Sequence, residues 1–168
     1  MQCSKMDKQN EDRMQKFRDI VSKLRSEEGC PWDRAQTHQS LKPCIVNEAA
    51  EVLAAVDLYE DSKDSENLCE ELGDLLLLIV LQSQIAEEEG IFTFDDVVEG
   101  ISKKMIRRHP HVFKSEENNG KNPGWEEIKR QEKATKSEVF FKSQKKAVQK
   151  AQSEMIDYLK KELKKESR

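Results

Sequence analysis

The segment 65–89 constrains the fold more than any other part of the sequence, because its apolar residues repeat at helical spacing around most of a helix surface. One stripe consists of Leu68, Leu72, Leu75, Leu76, Ile79 and Val80, and Leu77, Leu78 and Leu81 widen it. A helix that is apolar on nearly all sides is buried, either at the centre of a bundle or at a subunit interface. Other helical surface, from this chain or a second copy, must therefore cover it.

The composition also favours helices over sheets. Charged residues make up 37% of the 168 residues and aromatic residues 6%, with only six Gly and four Pro. Apolar periodicity and turn signals predict helices at about 14–28, 65–89, 93–108 and 125–133, and one long helix from 137 onward. A further helix is predicted to begin between Thr37 and Ser40 and to continue through Tyr59. A rigid irregular segment is expected at 29–33 and a polar loop at 114–123. We therefore expect an all-α helical bundle with a helical C-terminal extension.

The charges are strongly segregated along the chain. Between Glu48 and Glu99 there are 16 Asp and Glu against one Lys, whereas 141–168 carries nine Lys and Arg against four acids. The middle of the chain should therefore attract cations. The net charge of −4 argues against a general nucleic-acid binder, so nucleic acid is not an expected partner.

No feature of the sequence predicts secretion or membrane insertion. The first ten residues are polar, and the longest apolar run, Leu75–Leu81, is about a third of a membrane span. The four cysteines show neither CxxC nor zinc spacing, which is typical of reduced thiols. We expect a cytoplasmic protein without a membrane partner.

Two pairs of acids indicate a metal centre. Glu48 and Glu51 are three residues apart on one predicted helix, as are Glu71 and Asp74 on the next, so each pair shares a helix face. If the two helices form an antiparallel hairpin, four carboxylates converge and repel one another unless cations bind. Oxygen ligands favour Mg²⁺ or Mn²⁺ over zinc. The spacing by itself is a weak signal, because it occurs more often on a solvated acidic face.

Five linked motifs reduce that ambiguity. In chain order they are GCPWD with QTH (29–38), EAAEV (48–52), EELGDLL (70–76), RRHPHVF (107–113) and WEEIK (125–129). Together they resemble the MazG family of nucleoside triphosphate pyrophosphohydrolases over roughly 17–133. The resemblance implies the all-α nucleoside triphosphate pyrophosphatase fold. It also implies assembly as a homodimer or higher homo-oligomer, and Mg²⁺-dependent hydrolysis of nucleoside triphosphates to monophosphate and pyrophosphate.

The resemblance also assigns boundaries and residue roles. It implies a flexible N-terminal segment at 1–12, a MazG-like domain at 13–134 and a basic C-terminal helix at 135–168. Glu48, Glu51, Glu71 and Asp74 match the metal ligands. Expected catalytic residues are Glu70, Lys104 and Arg108, and expected substrate contacts are Lys104, Arg108, Trp125, Lys129 and Trp32. Trp32 is equally compatible with a role in the core, and His109 and His111 are expected to cap a helix rather than bind metal.

Two departures from the family pattern keep other functions open. Asn47 stands where the family commonly has a second Glu, which removes one charge and one potential base. Cys44 stands where some relatives place a basic residue. The alternatives are a related all-α deoxynucleotide pyrophosphatase of narrower substrate range, and a catalytically weakened scaffold or regulatory protein.

Overall fold

The computed structural model describes residues 3–63, 65–113, 124–134 and 137–166, and these are helical apart from their connections. Seven helices occur in this part of the chain, without a β-strand. They are α1 (Cys3–Arg25), α2 (Pro31–Arg34), α3 (Lys42–Ser62), α4 (Ser65–Glu88), α5 (Phe94–Arg108), α6 (Trp125–Ala134) and α7 (Glu138–Glu166). The expectation of an all-α fold is confirmed. The expected loop at 114–123 lies outside the described residues.

The chain divides into two compact units, Met1–Phe94 and Asp95–Arg168. In the first unit α4 packs against both α3 and α1, and α1 also packs against α2. The second unit contains α5 after its first residue, together with α6 and α7. None of the described helices is both long enough and apolar enough to cross a membrane.

The core of the first unit forms around the C-terminal half of α4. Its buried apolar residues are Val21, Leu41, Leu78, Val80, Leu81, Ile85 and Phe94, and Met14, Phe17, Cys44, Ile45, Leu76 and Leu77 pack against them. The N-terminal half of α4 is different, because Leu72 is 51% exposed. The stripe predicted from the sequence is therefore buried within this chain over only part of its length.

A buried arginine joins three elements of the first unit. Arg25, at the end of α1, donates hydrogen bonds to the Glu88 carboxylate of α4 at 2.7 to 3.1 Å. It also donates to the carbonyl oxygens of Asp33 at 2.6 Å and Gln36 at 3.2 Å. The segment that follows α1 is thus held against α4 by one side chain.

A tight turn joins α3 and α4 into an antiparallel hairpin. α3 ends at Ser62, and the capping residue Lys63 adopts the left-handed conformation with φ 60° and donates its N–H to the Tyr59 carbonyl at 2.9 Å. Because α4 begins at Ser65, the two helices run side by side from this turn. The hairpin brings the two predicted acidic pairs onto neighbouring helices.

Three boundaries differ from the sequence-based expectation. α1 begins at Cys3, well before the helix start predicted near Met14, since the few apolar residues of this stretch gave no periodic signal. The expected flexibility of 1–12 stays a prediction. α3 begins at Lys42 rather than between Thr37 and Ser40, because those two side chains cap each other's backbone N–H groups in a turn. The segment expected to be irregular contains the short α2. The predicted domain boundaries at 13–134 and 135–168 stay predictions.

The three cysteines whose side chains are described, Cys30, Cys44 and Cys69, are free thiols. This agrees with the prediction from their spacing.

Candidate metal centre

Three carboxylates converge across the α3–α4 hairpin. Glu48 comes from α3, and Glu71 and Asp74 come from consecutive turns of α4. One ligand oxygen from each of the three lies within 4.8 Å of the other two. A single cation placed among them would therefore be within reach of all three side chains.

The pKa of Glu48 reflects the crowding of carboxylates in this cluster. Burial raises the pKa of the Glu48 carboxyl above its usual value, and the negative charges of Glu51, Asp74 and Glu71 raise it further. Each of these effects disfavours the ionised form in the absence of a counterion. A bound divalent cation would reverse the balance.

Glu71 carries the observation that best fits a bound cation. Its Oε1 accepts a hydrogen bond from Asn67 Nδ2 at 3.0 Å, one turn earlier on α4. Its Oε2 is buried and has no hydrogen-bond partner in the part of the chain that the structure describes. A buried carboxylate oxygen without a partner is costly, so a partner from outside the chain is expected. The all-oxygen donor set fits a hard divalent cation such as Mg²⁺ or Mn²⁺.

The other acids predicted for this site lie at its margin. Glu51 is exposed and acts on Glu48 through its charge, but its carboxylate is not one of the three that converge. Glu70 is exposed on α4, directly before Glu71. Asn47, which departs from the family pattern, is half-buried beside Glu48.

Trp32 lies on the short α2 and is 59% exposed. This exposure excludes the core role that the sequence left open. A role against substrate stays a prediction.

The remaining predicted residues belong to the second unit. The Arg108 guanidinium lies 5.0 Å from the centre of the Trp125 ring. The Lys129 ammonium is 3.7 Å from a carboxylate oxygen of Glu126, and Lys104 is half-buried on α5. Arg108 and Trp125 are thus brought together, as expected for residues assigned to one ligand.

His109 has the expected helix-capping role. His109 Nδ1 is 2.7 Å from the Met105 carbonyl oxygen at the end of α5, and its ring lies 5.1 Å from that of Trp125. His111 lies 5.8 Å from His109, ring to ring. Capping of α5 by His109 is confirmed.

Two residues that contact predicted site residues were not predicted from the sequence. Asn67 holds Glu71, and its position four residues earlier on the same helix was an available signal. Glu132 contacts both Arg107 and Arg108 across about 25 residues of sequence. No spacing rule predicts a contact of that kind.

A helical hairpin with a carboxylate cluster at its seam defines a class of all-α proteins suited to divalent cations and polyphosphates. Residues 36–113 match the family model of the MazG nucleotide pyrophosphohydrolase domain. The chain thus contains a domain that matches the MazG family model.

Several curated proteins are similar to the chain. It is 49% identical over 122 residues to the nucleoside triphosphate pyrophosphohydrolase/pyrophosphatase MazG of Thermotoga maritima, covering 70% of the chain and 44% of that protein. It is 44% identical over 123 residues to the nucleoside triphosphate pyrophosphohydrolase of Escherichia coli, covering 71% and 45%. The uncharacterized protein YabN of Bacillus subtilis is 48% identical over 130 residues, covering 76% and 26%. The chain thus spans between about a quarter and a half of the length of these relatives.

Proposed function

We propose that this chain hydrolyses nucleoside triphosphates to nucleoside monophosphate and pyrophosphate, with a divalent cation held by Glu48, Glu71 and Asp74. Glu51 would complete the ligand set, directly or through water. The observation that carries the proposal is the convergence of three carboxylates, one of which, Glu71, has a buried Oε2 with no hydrogen-bond partner among the described residues. The names of the Thermotoga and Escherichia relatives support the same reaction.

The cation is expected to be Mg²⁺, with Mn²⁺ as the alternative, because the donors are all carboxylate oxygens. When bound, such a cation neutralises phosphate charge, polarises the phosphoryl group and lowers the pKa of a nearby water. The ligand carboxylates supply its position.

The chain's own side chains have separate tasks in the reaction. Glu70 accepts a proton from the attacking water while the water oxygen forms a bond to the α-phosphorus. The bond between the α-phosphorus and the bridging oxygen of pyrophosphate breaks. Lys104, Arg108 and Lys129 bind the phosphates and offset the charge that develops on the leaving group. Trp125 and Trp32 offer ring surfaces to the nucleobase.

A homo-oligomeric assembly is part of the proposal. Apolar side chains remain exposed on the hairpin, among them Leu53 at 69%, Leu72 at 51% and Ile79 at 44%. Apolar residues of this kind, clustered on one hairpin, mark interaction surfaces. A second copy of the same chain would cover them.

Pyrophosphate release from a panel of common and deoxy nucleoside triphosphates with Mg²⁺ tests the reaction. Glu71→Gln should lower the rate by about a hundredfold or more, because it removes the negative charge of a carboxylate that is proposed to bind the cation. Glu87→Gln makes the same change at an exposed position of α4 and should leave the rate unchanged. Equal rates for both variants would contradict the metal assignment.

The site of water attack is tested separately. In ¹⁸O-labelled water the label should appear in the nucleoside monophosphate and not in pyrophosphate. Label in pyrophosphate, or release of orthophosphate, would contradict attack at the α-phosphorus. Wild-type protein that turns over no triphosphate would favour a scaffold or regulatory role.

A further inference from the structure

Glu132 on α6 links two adjacent arginines at the end of α5. Its Oε1 accepts hydrogen bonds from Arg107 Nε at 2.8 Å and Nη2 at 2.5 Å. Its Oε2 accepts from Arg108 Nε at 3.1 Å and Nη2 at 2.6 Å. Each guanidinium therefore presents the same edge to the carboxylate, and the two cations are held side by side.

Arg108 is fixed on a second side by an aromatic ring. Its guanidinium lies 5.0 Å from the centre of Trp125, which in turn contacts the His109 ring at 5.1 Å. The Nη1 of Arg108 has no hydrogen-bond partner among the residues that the structure describes. Glu132 and Trp125 thus occupy one edge and one face of the Arg108 guanidinium, and neither of these contacts uses Nη1.

The charge state of this group does not change over the range in which the enzyme would be assayed. The hydrogen bond from Arg108 lowers the pKa of Glu132 to about 2, with a further contribution from Arg107. Glu132 is therefore ionised at neutral pH. Two guanidinium cations and one carboxylate leave a net charge of one positive unit, which still attracts an anion.

We propose that Glu132 is a positioning residue that holds the Arg108 guanidinium against Trp125 with Nη1 directed to a phosphate oxygen of the nucleotide. The inference rests on the proposed function, because the ligand is the substrate's polyphosphate. A free arginine samples many rotamers, and ordering it before binding removes that entropic cost from association. Glu132 orders the Arg108 guanidinium, and its carboxylate neutralises one of the two positive charges of the arginine pair.

The test compares Glu132→Gln with Glu127→Gln in the full-length protein. Glu127 also lies on α6 and pairs with a guanidinium, that of Arg130, but does not contact α5 in the described structure. Calorimetric titration with α,β-methylene-ATP and Mg²⁺ measures affinity without turnover. Glu132→Gln should weaken binding about tenfold, as expected for a lost charged hydrogen bond that is partly exposed to water. Glu127→Gln should bind as the wild type does.

An NMR measurement separates positioning from a merely structural role. In wild-type protein the Nε–H signals of Arg107 and Arg108, assigned with Arg107→Lys and Arg108→Lys, should be resolved and protected from exchange. Glu132→Gln should lose both signals while the thermal unfolding midpoint stays within a few degrees of that of Glu127→Gln. This readout does not depend on activity.

Three results would overturn the inference. Unchanged affinity in Glu132→Gln would show that the carboxylate does not prepare Arg108 for the nucleotide. Tighter binding would show that Glu132 competes with phosphate instead. Retention of both Nε–H signals would show that Arg108 is held by other groups. Failure of the proposed function is distinct, because wild-type protein would then neither bind the analogue nor release pyrophosphate.

Discussion

At the seam of the hairpin, several carboxylates lie close together although their negative charges repel one another. Glu48 is partly desolvated and lies near three other acids, while one buried oxygen of Glu71 receives no hydrogen bond from the described residues. A folded protein retains such a group when something outside the chain completes it. Glu48 and Glu71 therefore give the strongest argument for a bound cation.

The acidic pairs were predictable from the sequence, but their geometry was not. Both pairs have the same i, i+3 spacing, yet both acids of α4 join the cluster and only Glu48 does so from α3. Spacing determines which residues share a helix face, whereas convergence depends on where the two helices touch. The contact of Glu132 with Arg108 depends on the same tertiary information, whereas Asn67 precedes its partner Glu71 by one turn of the same helix.

The ion pair between Arg25 and Glu88 leads to a prediction about stability and pH. Glu88→Gln should lower the free energy of unfolding at neutral pH by about 2 kcal/mol, because buried Arg25 loses its carboxylate while Glu88 itself is partly exposed. Chemical denaturation measures the change. Glu87→Gln, one position earlier and exposed, is the matched control and should have little effect.

The pH dependence follows from the direction of the shift. The hydrogen bond from Arg25 lowers the pKa of Glu88 below the ordinary 4.5. A carboxyl with a lowered folded-state pKa contributes stability above its unfolded value, and that contribution is lost as the pH falls through the folded value. The difference between wild type and Glu88→Gln should therefore shrink below about pH 4.5. A difference that is constant to pH 3 would contradict the ion-pair account.

Among the elements, the helices were predictable and several of their ends were not. The strong periodicity of 65–89 gave α4 to within one residue, since it ends at Glu88. The start of α3 was missed because Thr37 and Ser40 satisfy each other's backbone in a turn instead of capping the helix. Local polar contacts of this kind compete with helix formation and are invisible to hydrophobic patterns.

The turn after α1 requires glycine for steric reasons. A Cβ at Gly29 would lie 2.2 Å from the Lys23 carbonyl oxygen and 2.3 Å from that of Leu24. Both obstacles are backbone atoms, so the turn itself would have to shift. Gly29→Ala should lower the free energy of unfolding by about 2 kcal/mol or more, as measured by denaturant titration.

Gly73 provides the contrasting control. A glycine inside a helix is often explained by the close approach of another helix or a ligand, but a Cβ at Gly73 would meet no described atom within 4 Å. No helix of the described chain therefore requires glycine at this position. Gly73→Ala should raise stability by up to about 1 kcal/mol through helix propensity. Destabilisation as large as that of Gly29→Ala would contradict the steric explanation.

On the scale of the whole molecule, the exposed apolar face of the hairpin predicts self-association. Leu53, 69% exposed on α3, is the test position. Leu53→Glu should shift the protein from oligomer to monomer in sedimentation velocity experiments across a range of concentrations, because burying a carboxylate in an apolar interface is costly. An unchanged sedimentation coefficient would place the interface elsewhere.

The central claim is that the carboxylates at the α3–α4 seam bind a divalent cation. Mn²⁺ titration followed by electron paramagnetic resonance, without nucleotide, measures this binding directly. The account predicts that wild-type protein and Glu87→Gln take up Mn²⁺ with the same affinity and that Mg²⁺ displaces it. It also predicts that Glu71→Gln binds at least about tenfold more weakly. Glu71→Gln protein that binds Mn²⁺ as tightly as Glu87→Gln would contradict it.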